Sequence, residues 1–114
     1  MIPIDTIENT KAQMRKGSLE FCILLIISNK KVYASNIITY LKEANLIVVE
    51  GTIYPLLNRL KREGLLENTW EESPHGPPRK YYTLTTNGKI TLEQLKLAWI
   101  TLSTSINSLI VKYE

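Results

Sequence analysis

Thr52, Tyr54, Asn58, Arg59 and Arg62 crowd hydrogen-bonding and cationic groups into the short stretch from Glu50 to Gly64. At about 100° per residue of α-helix, Gly51, Pro55, Asn58 and Arg62 point one way, with Thr52, Tyr54 and Arg59 beside them. Ile53, Leu56, Leu57 and Leu60 point the other way, as a face held on a core would. The outer face then offers hydroxyls, an amide and guanidinium groups, donors and acceptors that suit phosphate oxygens and base edges. The first turn of such a helix also has free backbone amides, which favour a phosphate. Further along, His75, Gly76, Arg79 and Lys80 lie in or beside the Pro-rich run Ser-Pro-His-Gly-Pro-Pro. A hairpin tip of this kind can lie along a phosphate backbone or at the minor groove. Taken singly, the two pieces also read as a solvated amphipathic helix and a plain surface hairpin. Together they outline a winged helix-turn-helix, in which a helix enters a DNA groove and a hairpin touches the neighbouring backbone.

Other chemistries find little support. The chain has one His and one Cys, in unlike settings: His75 in the Pro-rich turn, Cys22 in the apolar run Phe-Cys-Ile-Leu-Leu-Ile-Ile. No nucleophile, base and orienting group come together. No Cys/His metal spacing occurs, and no Gly-rich phosphate loop. The expectation is therefore no catalytic residue, no metal, no cofactor and no enzyme. Cys22 reads as a buried structural thiol, in keeping with a reducing compartment. Net charge is +3 over 114 residues, too small to specify a partner by itself, because charge speaks to association and not to fold. The N-terminus has no apolar signal-type core. The apolar runs 21–27 and 97–111 are too short to span a membrane. A cytoplasmic protein is expected.

The elements that must position these side chains follow from periodicity. A helix should start near Asp5, a good N-cap, and Gly17 should kink or divide it. Residues 18–27 place Leu19, Cys22, Ile23, Ile26 and Ile27 at helical spacing, with Leu24 and Leu25 on the other side. Such a segment should be buried all round; its β-rich composition leaves a strand as the alternative. Residues 28–32 read as a polar turn. A short helix should run from Ala34 to Asn45, followed by an apolar connection, Leu46 to Val49, into a helix over 51–63. Pro55 fits only near that helix's start, and Gly64 should terminate it. Strands are expected at 65–71 and 79–84, with the Pro-rich run as a tip outside the sheet. The class is mainly α with a small β-hairpin (α+β).

The last helix should begin near Thr85 or Thr86. Leu92, Leu95, Trp99, Leu102, Ile106, Leu109 and Tyr113 recur in steps of three and four, as an a/d seam. Residues 92–113 would make a rod about 33 Å long, more than so small a domain can bury by itself. Ile90, Leu97, Ile100, Ile110 and Val111 add a second stripe. One stripe should pack on the chain's own fold and the other on a second copy, with the a/d seam from Leu92 to Tyr113 as the expected dimer interface.

Gly51-Thr52-Ile53-Tyr54-Pro55-Leu56-Leu57, Arg59-Leu60, Glu63-Gly64-Leu65, Gly76-Pro77-Pro78-Arg79-Lys80-Tyr81-Tyr82, Leu84-Thr85 and Gly88 together closely resemble the PadR family of bacterial transcriptional regulators. The resemblance covers most of the chain from Leu19 onward, and Tyr33-Ala34 with Ile37 resemble the family's second helix. It implies a winged helix-turn-helix over 1–84, whose N-terminal helix also touches a partner subunit, and a C-terminal dimerisation helix over 85–114, as in the family's short type. It implies a homodimeric, sequence-specific repressor whose partner is double-stranded DNA. Thr52, Tyr54, Pro55, Asn58, Arg59 and Arg62 would meet the major groove, and His75, Gly76, Arg79 and Lys80 the adjacent backbone. Some short members bind flat aromatic compounds between subunits, and Trp99 is the residue placed to meet such an effector. Ordinary interface packing is the plainer role for that indole. A winged-helix protein-interaction module without DNA binding is the alternative, suggested by Glu67, Glu71 and Glu72 near the wing. One departure from the usual pattern is Val49, which cannot cap the helix that follows.

Overall fold

A computed structural model describes residues 3–46 and 48–114. Its elements are α1 (Ile4–Ile27), β1 (Val32–Tyr33), α2 (Ala34–Glu43), α3 (Glu50–Arg62), β2 (Leu66–Ser73), β3 (Gly76–Leu84) and α4 (Thr86–Tyr113). Ile47, part of the expected apolar connection, lies outside the described residues.

The first helix differs from expectation in two ways. It runs unbroken through Gly17, whose helical cost of about 1 kcal/mol is outweighed by the turns on either side. It also starts one residue before Asp5, behind Pro3, with no side-chain cap. The Pro3 carbonyl accepts from Thr6 N at 3.1 Å instead, and Asp5 sits in the first turn, where a carboxylate suits the helix dipole. The C-terminal half enters the core through Leu19, Ile23, Leu24 and Ile27, but Leu25 is exposed, so this half is not buried all round.

Helices α2 and α3 end in the same way. Asn45 (φ 63°) and Gly64 (φ 79°) adopt the left-handed conformation. Leu46 N then donates to Leu41 O at 2.8 Å, and Leu65 N to Leu60 O at 3.0 Å. This closing pattern satisfies carbonyls the helix leaves free. Val49 makes no side-chain cap, as its type requires, and Pro55 lies in the second turn of α3. The carbonyl of Gly51, which an amide at 55 would have met, stands at an exposed position open to water.

The sheet is antiparallel and three-stranded, ordered β1-β3-β2. Strand β1 falls where a polar turn was expected; Val32 pairs with Tyr82 and Tyr33 with Tyr81. The hairpin is also longer than expected. Ser73 pairs with Gly76, so Pro77 and Pro78 belong to β3 and the turn shrinks to Pro74–His75. The prolines are tolerated because β1 reaches only Tyr81 and Tyr82, leaving one side of β3 free there, and because β2 bulges between Glu71 and Ser73.

One core joins all of this: Ile23 and Ile27 from α1, Ile37 and Leu41 from α2, Ile53, Leu57 and Leu60 from α3, Leu66, Tyr82 and Leu84 from the sheet, and Leu92 from α4. Each fully buried Leu or Ile contributes about 1.5–3 kcal/mol by leaving water. Thr85 ties α4 to the base of the hairpin. Its Oγ1 donates to Gly64 O at 2.6 Å and accepts from Gly88 N at 2.9 Å. Beyond Leu95 α4 leaves the body. The radius of gyration is 16.7 Å, against about 13 Å for a compact chain of this length.

Candidate nucleic-acid interface

The buried side of α3 fixes what its other side presents. With Ile53, Leu57 and Leu60 in the core, Thr52, Tyr54, Pro55, Asn58, Arg59 and Arg62 are all exposed. They are not equivalent. Asn58 and Arg62 stand outermost, on the side opposite the core. Thr52, Pro55 and Arg59 border a groove of about 380 Å³ shared with Lys16 and Glu20 of α1. Arg59 is held there: its Nη2 donates to Glu20 Oε2 at 2.8 Å, and its Nε lies 3.8 Å from Glu63 Oε1. Among the described residues Arg62 makes no ion pair. Glu20 went unnoticed in the sequence, because a contact across 39 positions leaves no local pattern.

The basic residues of the hairpin are folded onto its two faces. Arg79 sits 4.9 Å from the centre of the Tyr33 ring, and Tyr33 meets Tyr81 edge-on at 5.4 Å. Glu71, opposite Arg79 in register, also pairs with Lys31. On the other face Lys80 lies 5.7 Å from the rings of both Trp70 and Tyr82. Trp70 is 64% exposed. His75, in the turn, and Gly76, the first residue of β3, are exposed at the tip. Cation–π contacts of this kind leave the outer N–H groups free for an anion while limiting where the side chain swings.

A second region is apolar. Helix α4 is covered by its own chain only at its start, through Gly88, Leu92 and the half-buried Leu95. Leu92, expected on a seam between subunits, lies instead in the protomer's own core. From Leu97 onward the apolar residues of both stripes are exposed, so the chain's own fold covers the a/d stripe only at Leu92, Leu95 and, in part, Trp99; Ile4, Ile7 and Met14 of α1 are exposed too. Trp99 packs toward Phe21 of α1 with ring centres 6.4 Å apart and stays 47% exposed. The two rings border a cleft of about 370 Å³ between α1 and α4, lined also by Met14, Gly17 and Leu102.

Cys22 is half-buried, and burial pushes its thiol pKa up, against a smaller opposing effect from a hydrogen bond with Ser18. The Tyr82 hydroxyl is likewise pushed up by burial. Among the described residues no group of His, Cys, Asp and Glu could hold a metal, and no helix is long and apolar enough to cross a membrane.

Residues 23–94 match the model of the "Transcriptional regulator PadR-like family". The chain belongs to this PadR-like family. It is thus a PadR-family transcriptional regulator, in a family of regulators and not of enzymes. A PadR-like transcription factor from Bacteroides fragilis is 54% identical, with 89% of this chain and 98% of that chain covered and a TM-score of 0.73. A PadR-like transcriptional regulator from Bacillus cereus is 46% identical, covering 86% and 96%, with a TM-score of 0.77. Bacillus subtilis PadR, solved in complex with operator DNA, is 28% identical, covering 68% of this chain and 45% of that chain, with a TM-score of 0.62. The PadR-like fold is therefore the winged helix expected from helix, hairpin and terminal helix, with a third strand that was not.

Proposed function

We propose that this PadR-family regulator is a sequence-specific DNA-binding protein that acts as a homodimer and represses transcription. The observation that carries the reading is the outer face of α3, where Asn58 and Arg62 stand exposed beside Tyr54 and Thr52, Arg62 without an ion pair among the described residues, on a helix whose other side is locked into the core. The solved complex of Bacillus subtilis PadR with operator DNA supports it. In this reading α3 enters the major groove. Asn58 is an amide suited to adenine, and Arg62 reaches guanine or phosphate. Thr52, Tyr54, Pro55 and Arg59 border the contact, and His75, Gly76, Arg79 and Lys80 of the wing lie along the next stretch of backbone.

The exposed run of α4 from Leu97 to Tyr113, with the exposed apolar residues of α1, is the surface on which a second copy would pack. Patches this apolar are rarely left to water. Two α3 helices would then meet half-sites about 34 Å apart. The cleft beside Trp99 and Phe21 is apolar enough for a flat aromatic effector that releases the DNA. The test is a fluorescence-anisotropy titration of the DNA upstream of this protein's own gene against a scrambled duplex, at ~150 mM salt. Tighter binding to the native duplex supports specific regulation there. Salt-insensitive and sequence-independent behaviour toward both would reject it.

A further inference from the structure

Arg59 and Arg62 are three positions apart on α3, yet their surroundings differ. Arg62 stands outermost. Arg59 faces α1, where Glu20 accepts from its Nη2 at 2.8 Å and Glu63 lies 3.8 Å from its Nε. Two carboxylates flank this one guanidinium, so that corner of the helix carries no surplus positive charge. A helix lying in a major groove is bordered by phosphate backbones on both sides, and Arg59 is on the border next to α1.

We propose that Glu20 sets how strongly the DNA-binding surface is drawn to a duplex of any sequence, through the charge it cancels on Arg59. This inference rests on the DNA-binding reading above. Glu20 occupies Arg59, so this cation adds little to the attraction that every phosphate backbone exerts, whatever its sequence. Each phosphate met by a free cation steepens the logarithmic salt dependence by about 0.9. A cation already neutralised by a carboxylate releases fewer counterions and attracts any duplex less. Discrimination then falls to residues that read base edges, Asn58 and Arg62 among them. Both members of the pair are partly exposed, with side-chain accessibilities of 47% for Arg59 and 35% for Glu20. An ion pair this wet is weak enough to be exchanged, so its effect is on charge available to DNA and not on folding.

The experiment uses the full chain and the scrambled duplex, with anisotropy titrations over a salt series. Glu20→Gln is expected to bind the scrambled duplex more tightly and to steepen the slope, by up to about 0.9, less whatever Glu63 still cancels. Glu20→Ala should do the same, because the effect needs only the loss of the carboxylate. Arg59→Ala added to either variant should return the slope to the wild-type value. Salt-dependent binding whose slope is unchanged by both Glu20 variants would overturn the proposal and leave the DNA-binding reading standing. Absence of binding to native and scrambled duplexes at low salt, in every variant, would remove both.

Discussion

Gly88 should be the least replaceable glycine in the chain, and Gly17 should be improved by replacement. Both are helical, so a change to alanine brings each the same gain, about 0.8–1.0 kcal/mol of helix propensity. Their surroundings are opposite. A Cβ built on Gly17 meets nothing within 4 Å. On Gly88 it would lie 2.1 Å from the carbonyl oxygen of Leu65, 3.1 Å from that carbonyl carbon and 3.4 Å from Leu84 Cβ. The Leu65 oxygen cannot simply turn aside, because it accepts from Thr85 N at 3.1 Å. Nor can the start of α4 lift away without loosening the bonds from Gly88 N to Thr85 Oγ1 and from there to Gly64 O. Overpacking costs about 1–3 kcal/mol, and each hydrogen bond lost costs about 1 kcal/mol more. Gly88→Ala should therefore destabilise by about 2 kcal/mol net, while Gly17→Ala should stabilise by about 0.5–1 kcal/mol. Urea unfolding followed by helical circular dichroism, at one fixed protein concentration, separates the two signs. A Gly88→Ala protein as stable as the wild type would mean that α4 does not approach the hairpin base as closely as described.

Other perturbations follow from single contacts. Leu57→Ala, at a fully buried position, should cost about 2–5 kcal/mol in the same unfolding assay, the cost of opening a core cavity. Ile106→Lys places a charge on the exposed α4 surface without touching the core, so sedimentation velocity should find a dimer for the wild type and a monomer for the variant. Burial raises the Cys22 thiol pKa. The thiolate is thus scarcer than in a free cysteine at neutral pH, and iodoacetamide should modify the native protein more slowly than the urea-unfolded one, the difference narrowing as pH rises.

What could be read from the sequence was what local pattern controls. Ile53, Leu57 and Leu60 fix the inner face of α3 by spacing alone, and Gly64 marks its end because the residue there has a positive φ. The start of α4 was legible near Thr85 or Thr86 from its heptad pattern, but not the capping role of the Thr85 hydroxyl. What stayed hidden depended on partners far along the chain. Val32 and Tyr33 form a strand only because Tyr81 and Tyr82 offer a free edge. Pro77 and Pro78 looked like strand breakers, yet one side of β3 there has no strand to bond. Leu92 fits the α4 heptad as well as Leu102 does, and only the depth at which α4 leaves the core assigns it inward. In the candidate interface, residue types located the outer face of α3 but not the arginine engaged by Glu20.

The central claim is that the outer face of α3 reads DNA, and its most direct measurement compares wild type, Asn58→Ala and Arg62→Ala on the native and scrambled duplexes over a salt series. Arg62→Ala should weaken native-duplex binding and lower the salt slope by about 0.9. Asn58→Ala should leave the slope unchanged and reduce discrimination between the duplexes by about 1–3 kcal/mol, the worth of one bidentate base contact. Wild-type affinity, slope and discrimination in both variants would contradict the account.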